Sequence, residues 1–261
     1  MLFLAFPSKR LSAAKVIYVT ILVDEEERTR EAVWQARLTR RLDQASQIFS
    51  RYCNIRFAAN SFETWQSDNR LTDLNRSLRE FEQEVRPKQA QICIGFSSQY
   101  KFRRGRNGLG GTRGPMRSHI LLRESAPKLA EPERLEALVH ELGHFLGAAH
   151  SVDPASCMRP VIGDGQARSR TFQIGFDPIN AKVIRLISNE ISLLHVRRFQ
   201  DLSQHTRQRL RAEYVKLRQQ LPNDPAAKRY IQVLDQIASR APKQLRPSLR
   251  LNNFGGQKKV P

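Results

Sequence analysis

Residues 140 to 150 read His140-Glu141-Leu142-Gly143-His144-Phe145-Leu146-Gly147-Ala148-Ala149-His150. A histidine, a second four residues later and a third six beyond that supply three neutral nitrogen donors. This is the ligand set of a catalytic zinc site, whose fourth position stays open for water. His140, His144 and His150 are therefore candidate ligands of one Zn²⁺. Glu141 adjoins the first ligand without being one. A carboxylate there can act as general base, taking the proton of the zinc-bound water as it attacks a carbonyl and passing it to the departing amine. The chemistry these residues point to is hydrolysis at a polarised carbonyl.

The residues need a helix and a turn to meet. At about 100° per residue, Leu138, Val139, Leu142, Phe145 and Leu146 gather on one stripe, while His140, Glu141 and His144 fall on the other side. The stripe is expected to pack and the ligands to look outward. Pro132 suits the first turn, where its missing N–H costs nothing, so the helix is expected to begin near Glu131. Gly147 suits the end: a left-handed residue there stops the helix and brings His150 back toward the metal.

The pattern H-E-x-x-H-x-x-G-x-x-H followed by a methionine resembles the signature of the metzincin zinc endopeptidases. Ser151 follows the third histidine, Met158 comes eight positions after it and Pro160 two after that, an arrangement most similar to the matrixin branch. The resemblance implies an α+β, zincin-like fold: a twisted mixed sheet, an active-site helix above the cleft, and a small lower subdomain after the third histidine. It implies a zinc-dependent endopeptidase acting on protein or peptide substrates, with one catalytic zinc and Met158 as the methionine turn beneath it. Astacins and serralysins carry a tyrosine where this chain has Pro160, so no tyrosine ligand or oxyanion donor is carried over. The matrixin latency segment is missing, since Cys53, Cys93 and Cys157 sit in other contexts. Only His119 lies between the first strand and the active-site helix, too few for a second, structural zinc site. Asp164, between two glycines, reads as a turn residue, and no calcium is expected.

Upstream, Lys15 to Asp24 is β-branched and aromatic, a strand. A helix over 28–52, a strand over Asn54 to Ala59, a helix over 71–86 and strands over Gln89 to Phe96 and His119 to Arg123 follow. The glycine-rich run from Gly108 to Gly114 is either a mobile turn or, as the resemblance implies, a cleft-lining edge strand to which extended substrate adds. In the second case Gly110, Gly111 and Thr112 contact substrate. Arg159, together with Arg168 and Arg170, is expected to wall the pocket beyond the scissile bond and to favour acidic side chains.

These elements divide the chain into a short N-terminal segment (1–14), a catalytic domain (15–197), a helical hairpin extension (198–240) broken at Pro222-Asn223-Asp224, and a flexible basic tail (241–261). The 261 residues carry a formal charge of +19, and residues 182–261 hold 17 Lys and Arg against 5 Asp and Glu. That excess suits an anionic polymer or surface as partner, or simply a solvated helical face. The alternative function is a polyanion-binding protein that keeps the fold with weak or lost proteolysis. No helix-turn-helix, zinc-finger or RNP signature is present, so sequence-specific nucleic-acid binding is not expected. No run approaches the roughly 18 apolar residues of a transmembrane helix, and Met1 to Phe6 is too short for the apolar region of a signal peptide. Metzincins are mostly secreted, so the resemblance favours an extracellular or cell-envelope location if the true start lies upstream. Three cysteines permit at most one internal disulfide.

Overall fold

The structure is a computed structural model and describes residues 14–88, 90–99, 108–125 and 129–240. The expected basic tail and all but the last residue of the expected N-terminal segment lie outside the described residues. Five strands form one mixed sheet: β1 (Lys15–Asp24), β2 (Ile55–Trp65), β3 (Ile92–Ser97), β4 (Gly110–Thr112) and β5 (His119–Arg123), in the order β2-β1-β3-β5-β4. β2 and β3 run parallel to β1, and β5 runs parallel to β3. Only β4, at the edge, is antiparallel to its neighbour β5.

Alternate side chains of a strand face opposite layers, and the sheet is covered on both faces. Ile17, Val19, Ile21 and Val23 of β1 join Trp34, Leu38, Leu42, Ala45 and Phe49 of helix α1 (Glu31–Phe49) in the main core. On the other face Leu22, Cys93 and Leu121 meet Leu74, Leu78 and Phe81 of helix α2 (Leu74–Glu84) and Trp65. Burial on both sides explains why β1 reads as a nearly continuous apolar run. β2 is longer than its apolar signal. The register slips between Val19 and Thr20, after which Ser61–Trp65 pair with Thr20–Asp24. This slip places the polar Ser61, Glu63 and Thr64 in a strand at the sheet edge, where none of the three is buried.

Helix α3 (Glu131–Phe145), which carries His140, Glu141 and His144, starts where Pro132 predicts, and the Glu133 carboxylate accepts the Ala130 backbone N–H at 2.8 Å. Its start is tied to α1 by Arg41, only 1% exposed, whose guanidinium makes paired hydrogen bonds to both Glu124 and Glu131. Planar two-point pairing of this kind fixes orientation as well as distance. Helix α4 (Pro178–Leu194) packs beneath, capped by the Asp177 carboxylate, which accepts the N–H groups of Ile179 and Asn180.

Two helices follow, α5 (Gln204–Gln220) and α6 (Pro225–Arg240). α5 begins later than its periodicity suggests because the Ser203 hydroxyl caps it, accepting from the Thr206 N–H, while Phe199–Asp201 forms a separate 3₁₀ turn. Leu210, Tyr214 and Leu217 of α5 and Ala227, Tyr230, Ile231 and Leu234 of α6 belong to the same core as Leu146 and the α4 residues Val183, Ile184 and Ile187. The hairpin is thus packed into the body that carries the sheet. Among the described residues, no helix is long and apolar enough to cross a membrane.

Candidate metal centre

α3 places His140, Glu141 and His144 opposite its apolar stripe, as the period requires, yet they do not look outward. They are 5%, 4% and 7% exposed. The helix is buried all round through its last three turns, which marks an internal helix and not a surface one. Gly147, with φ +86°, ends it, and the Ala148 N–H donates to the Gly143 carbonyl at 2.8 Å. The chain then turns back. Asn180 holds it there, accepting the Ala149 N–H and donating to the Ala149 carbonyl, each at 2.9 Å.

The three histidines converge. The ring centroids of His140 and His144 are 4.6 Å apart, and those of His150 lie 5.4 and 5.0 Å from them. One nitrogen from each lies within 4.8 Å of the others. The opposite nitrogens are all committed. His140 Nδ1 donates to the Cys157 carbonyl at 2.7 Å, His144 Nδ1 to the Ala148 carbonyl at 2.8 Å, and His150 Nδ1 to the Asp224 carboxylate at 2.5 Å. A carbonyl or carboxylate oxygen only accepts, so each neutral ring carries its proton on Nδ1 and offers a bare Nε2. Three such donors converging at one point fit a tetrahedral Zn²⁺ with one position left over.

Burial pushes the His140 imidazole down to about 3, with charge at His150 acting the same way. Burial and then the His140 ring hold His144 well below its ordinary value. Both therefore stay neutral, as ligation demands. Burial pushes the Glu141 carboxyl up to about 8; a cation held by the three histidines would oppose that shift.

Met158 lies under the helix between the first two ligands. A Cβ at Gly143 would sit 2.8 Å from Met158 Sδ and 2.9 Å from the Phe176 ring, so the glycine inside the motif is the space the methionine occupies. The turn closes when Ser151 N–H donates to the Met158 carbonyl at 2.9 Å.

The glycine run forms the edge strand β4. A Cβ at Gly110 would fall 2.7 Å from Glu141 Cγ and 2.6 Å from Leu122 Cδ2; Gly111 turns toward Leu74 and Leu78 of α2, and Thr112 Oγ1 donates to the His119 carbonyl. Of these three, only Gly110 lies directly on the candidate base. Arg159 departs from expectation. It is 6% exposed, hydrogen bonds to Glu136 at 2.6 Å and Asp164 at 2.9 Å, and lies over the Phe172 ring. Its charge is spent inside the protein, so it braces the segment after Met158 and does not face substrate. Arg168, with a half-exposed side chain, is paired with the buried Glu133. Asp164 does sit in a turn, between Gly163 and Gly165 at positive φ.

His119 is a buried structural residue, its Nε2 donating to the Val85 carbonyl at 3.0 Å. All three cysteines are free thiols. A cavity of about 460 Å³ between the start of β1 and the end of α4 contains none of the three candidate ligands.

Sequence reasoning missed Asp224, Asn180 and Gly143. Asp224 was visible only as part of a Pro-Asn-Asp-Pro break, and its partner lies 74 residues earlier.

No curated protein sequence matches the chain. Among solved structures the chain is similar to archaemetzincin from Methanopyrus kandleri, with 15% identity, a TM-score of 0.44, and coverage of 64% of this chain and 93% of that one. It is also similar to a chain of a chaperone-substrate complex, with 13% identity, a TM-score of 0.45, and coverage of 69% of this chain but 35% of that one. The present chain thus spans about a third of that second chain's length. The model of metallo-peptidase family M12 matches residues 13–182, well over half of the sequence and inclusive of the whole histidine cluster. The protein belongs to metallo-peptidase family M12.

Proposed function

We propose that the protein is a zinc-dependent endopeptidase. The observation that carries this is the convergence of three imidazoles whose Nδ1 atoms are all held by oxygen acceptors, with Glu141 buried beside them against the edge strand. His140, His144 and His150 would hold the metal. When bound, Zn²⁺ supplies Lewis-acid chemistry, withdrawing charge from a carbonyl oxygen and lowering the pKa of water. Glu141 takes the proton of the attacking water on its carboxylate and returns it to the leaving nitrogen. Among the described residues β4 pairs with β5 on one side only. Its other edge offers backbone N–H and C=O groups to an extended peptide, which then lies across Glu141. Binding by strand addition at mid-chain favours internal peptide bonds, the basis for an endopeptidase. Within the metzincins, the spacing of Met158 and Pro160 after His150 supports a matrixin-like turn.

The test is metal content and cleavage of an unstructured protein such as casein. One zinc per chain is expected, with activity lost on chelation and restored by zinc. Stoichiometric zinc with no cleavage of any unstructured protein would overturn the peptidase reading and leave the polyanion-binding alternative.

Gly110→Val tests the cleft. The branched side chain has no room between Leu122 and Glu141, so strand or carboxylate must move. A displacement of about 1 Å at a reacting group can cost about 10²-fold in rate. A fall of that order in kcat, with zinc content unchanged, is the expected result; a wild-type kcat would separate β4 from the reacting centre.

A further inference from the structure

We propose that Asp224 is a positioning residue for the third metal ligand and that, through it, the α5–α6 hairpin is a working part of the metal centre. This rests on the zinc reading of the histidine cluster. Asp224 lies at the hairpin turn, and its side chain is 3% exposed. Both carboxylate oxygens are used. Oδ1 accepts the His150 Nδ1–H at 2.5 Å, and Oδ2 accepts the backbone N–H groups of Ala226 and Ala227 at 3.1 and 3.0 Å. One carboxylate therefore caps α6 and orients a ligand.

The three ligands differ in what holds them. His140 and His144 sit on α3, and their Nδ1 atoms are anchored by backbone carbonyls of the same region, Cys157 and Ala148. His150 lies beyond the helix end with a side chain 23% exposed, and its anchor comes from 74 residues away. The hairpin itself is docked at the same corner. Tyr214 Oη donates to the Gly147 carbonyl at 2.7 Å, three residues before His150, and Tyr214 is fully buried. A carboxylate on the far nitrogen of a ligating imidazole fixes its tautomer and orientation and raises its basicity. Because the same carboxylate belongs to the hairpin, zinc affinity and hairpin docking are linked, and each strengthens the other by the same factor.

Asp224→Asn separates this role from a structural one. Asparagine caps helices as well as aspartate, so α6 keeps its start. With the amide oxygen engaged at the cap, the amide NH₂ faces His150 Nδ1 and drives the proton onto Nε2, where the metal needs a lone pair. Zinc affinity, read by competition with a chromogenic chelator, is expected to fall about 10- to 100-fold, while the melting temperature of the metal-free protein stays near wild type. Asp224→Ser, which also caps but carries no carboxylate, is expected to lose affinity likewise and guards against a fold defect peculiar to asparagine. In the wild type, zinc should slow amide hydrogen exchange in α5 and α6; in Asp224→Asn that slowing should vanish. If both variants bind zinc as tightly as wild type, the proposal fails. A wild type that takes up no zinc overturns the zinc reading of the cluster, and the proposal with it.

Discussion

Glu141→Gln lowers kcat/KM on an unstructured protein by about 10²- to 10⁴-fold, the range for loss of a positioned general base, and leaves zinc content at the wild-type level. The two side chains have nearly the same shape, so packing against β4 is preserved, and Gln cannot accept and return a proton. The site magnifies the difference. Glu141 is 4% exposed, so no bulk water takes over its role, and the glycine at position 110 leaves its carboxylate in contact with the strand proposed to hold substrate. Zinc content is the control, because Glu141 is no member of the ligand cluster. If Glu141→Gln cleaves at the wild-type rate, the base lies elsewhere and the proposed mechanism is wrong. If zinc is lost along with activity, Glu141 acts on the metal site itself and not on water.

Gly147→Val destabilises the protein by about 3 kcal/mol or more, read as a lower midpoint in urea unfolding. Two costs add. Holding a residue with a Cβ in the left-handed region costs roughly 1–2 kcal/mol, and forcing extra volume into a packed core costs about 1–3 kcal/mol. The second cost is certain to be felt here. A Cβ at position 147 would lie 2.2 Å from Ile187 Cδ1 and 2.9 Å from Tyr214 Oη, so the Ile187 and Tyr214 side chains both have to shift. Displacing Tyr214 removes its hydrogen bond to the Gly147 carbonyl and loosens the hairpin that carries Asp224. Zinc affinity is therefore expected to fall with stability. A variant within 0.5 kcal/mol of wild type, a bound typical of neutral surface changes, would show that the helix end and its neighbours adjust freely.

Much of the site was legible because its determinants are local. The four-residue spacing of His140 and His144 is one helical turn, Pro132 marks the helix start, and Gly147 supplies the positive φ that ends it. β1 and β5 were legible for the same reason, as short apolar runs rich in β-branched or branched residues. The second half of β2 was not, since its pairing with β1 depends on a slip at Val19 and Thr20 that leaves no local trace.

The sequence by itself determined the donor set: three imidazoles and a carboxylate at fixed helical offsets, with a turn that returns the last of them. Backbone φ preferences and the 3.6-residue period act over a few residues and need no knowledge of the rest of the chain. The tertiary structure decided the surroundings. It buried the ligand face that periodicity alone left open, turned Arg159 inward onto Glu136 and Asp164, put Met158 in the space left by Gly143, and set Asp224 on His150. Each of these is a choice among partners far apart in sequence, made by how the sheet, α4 and the hairpin share one core. An imidazole needs an acceptor for its second nitrogen wherever it binds metal, and only packing selects which acceptor that is.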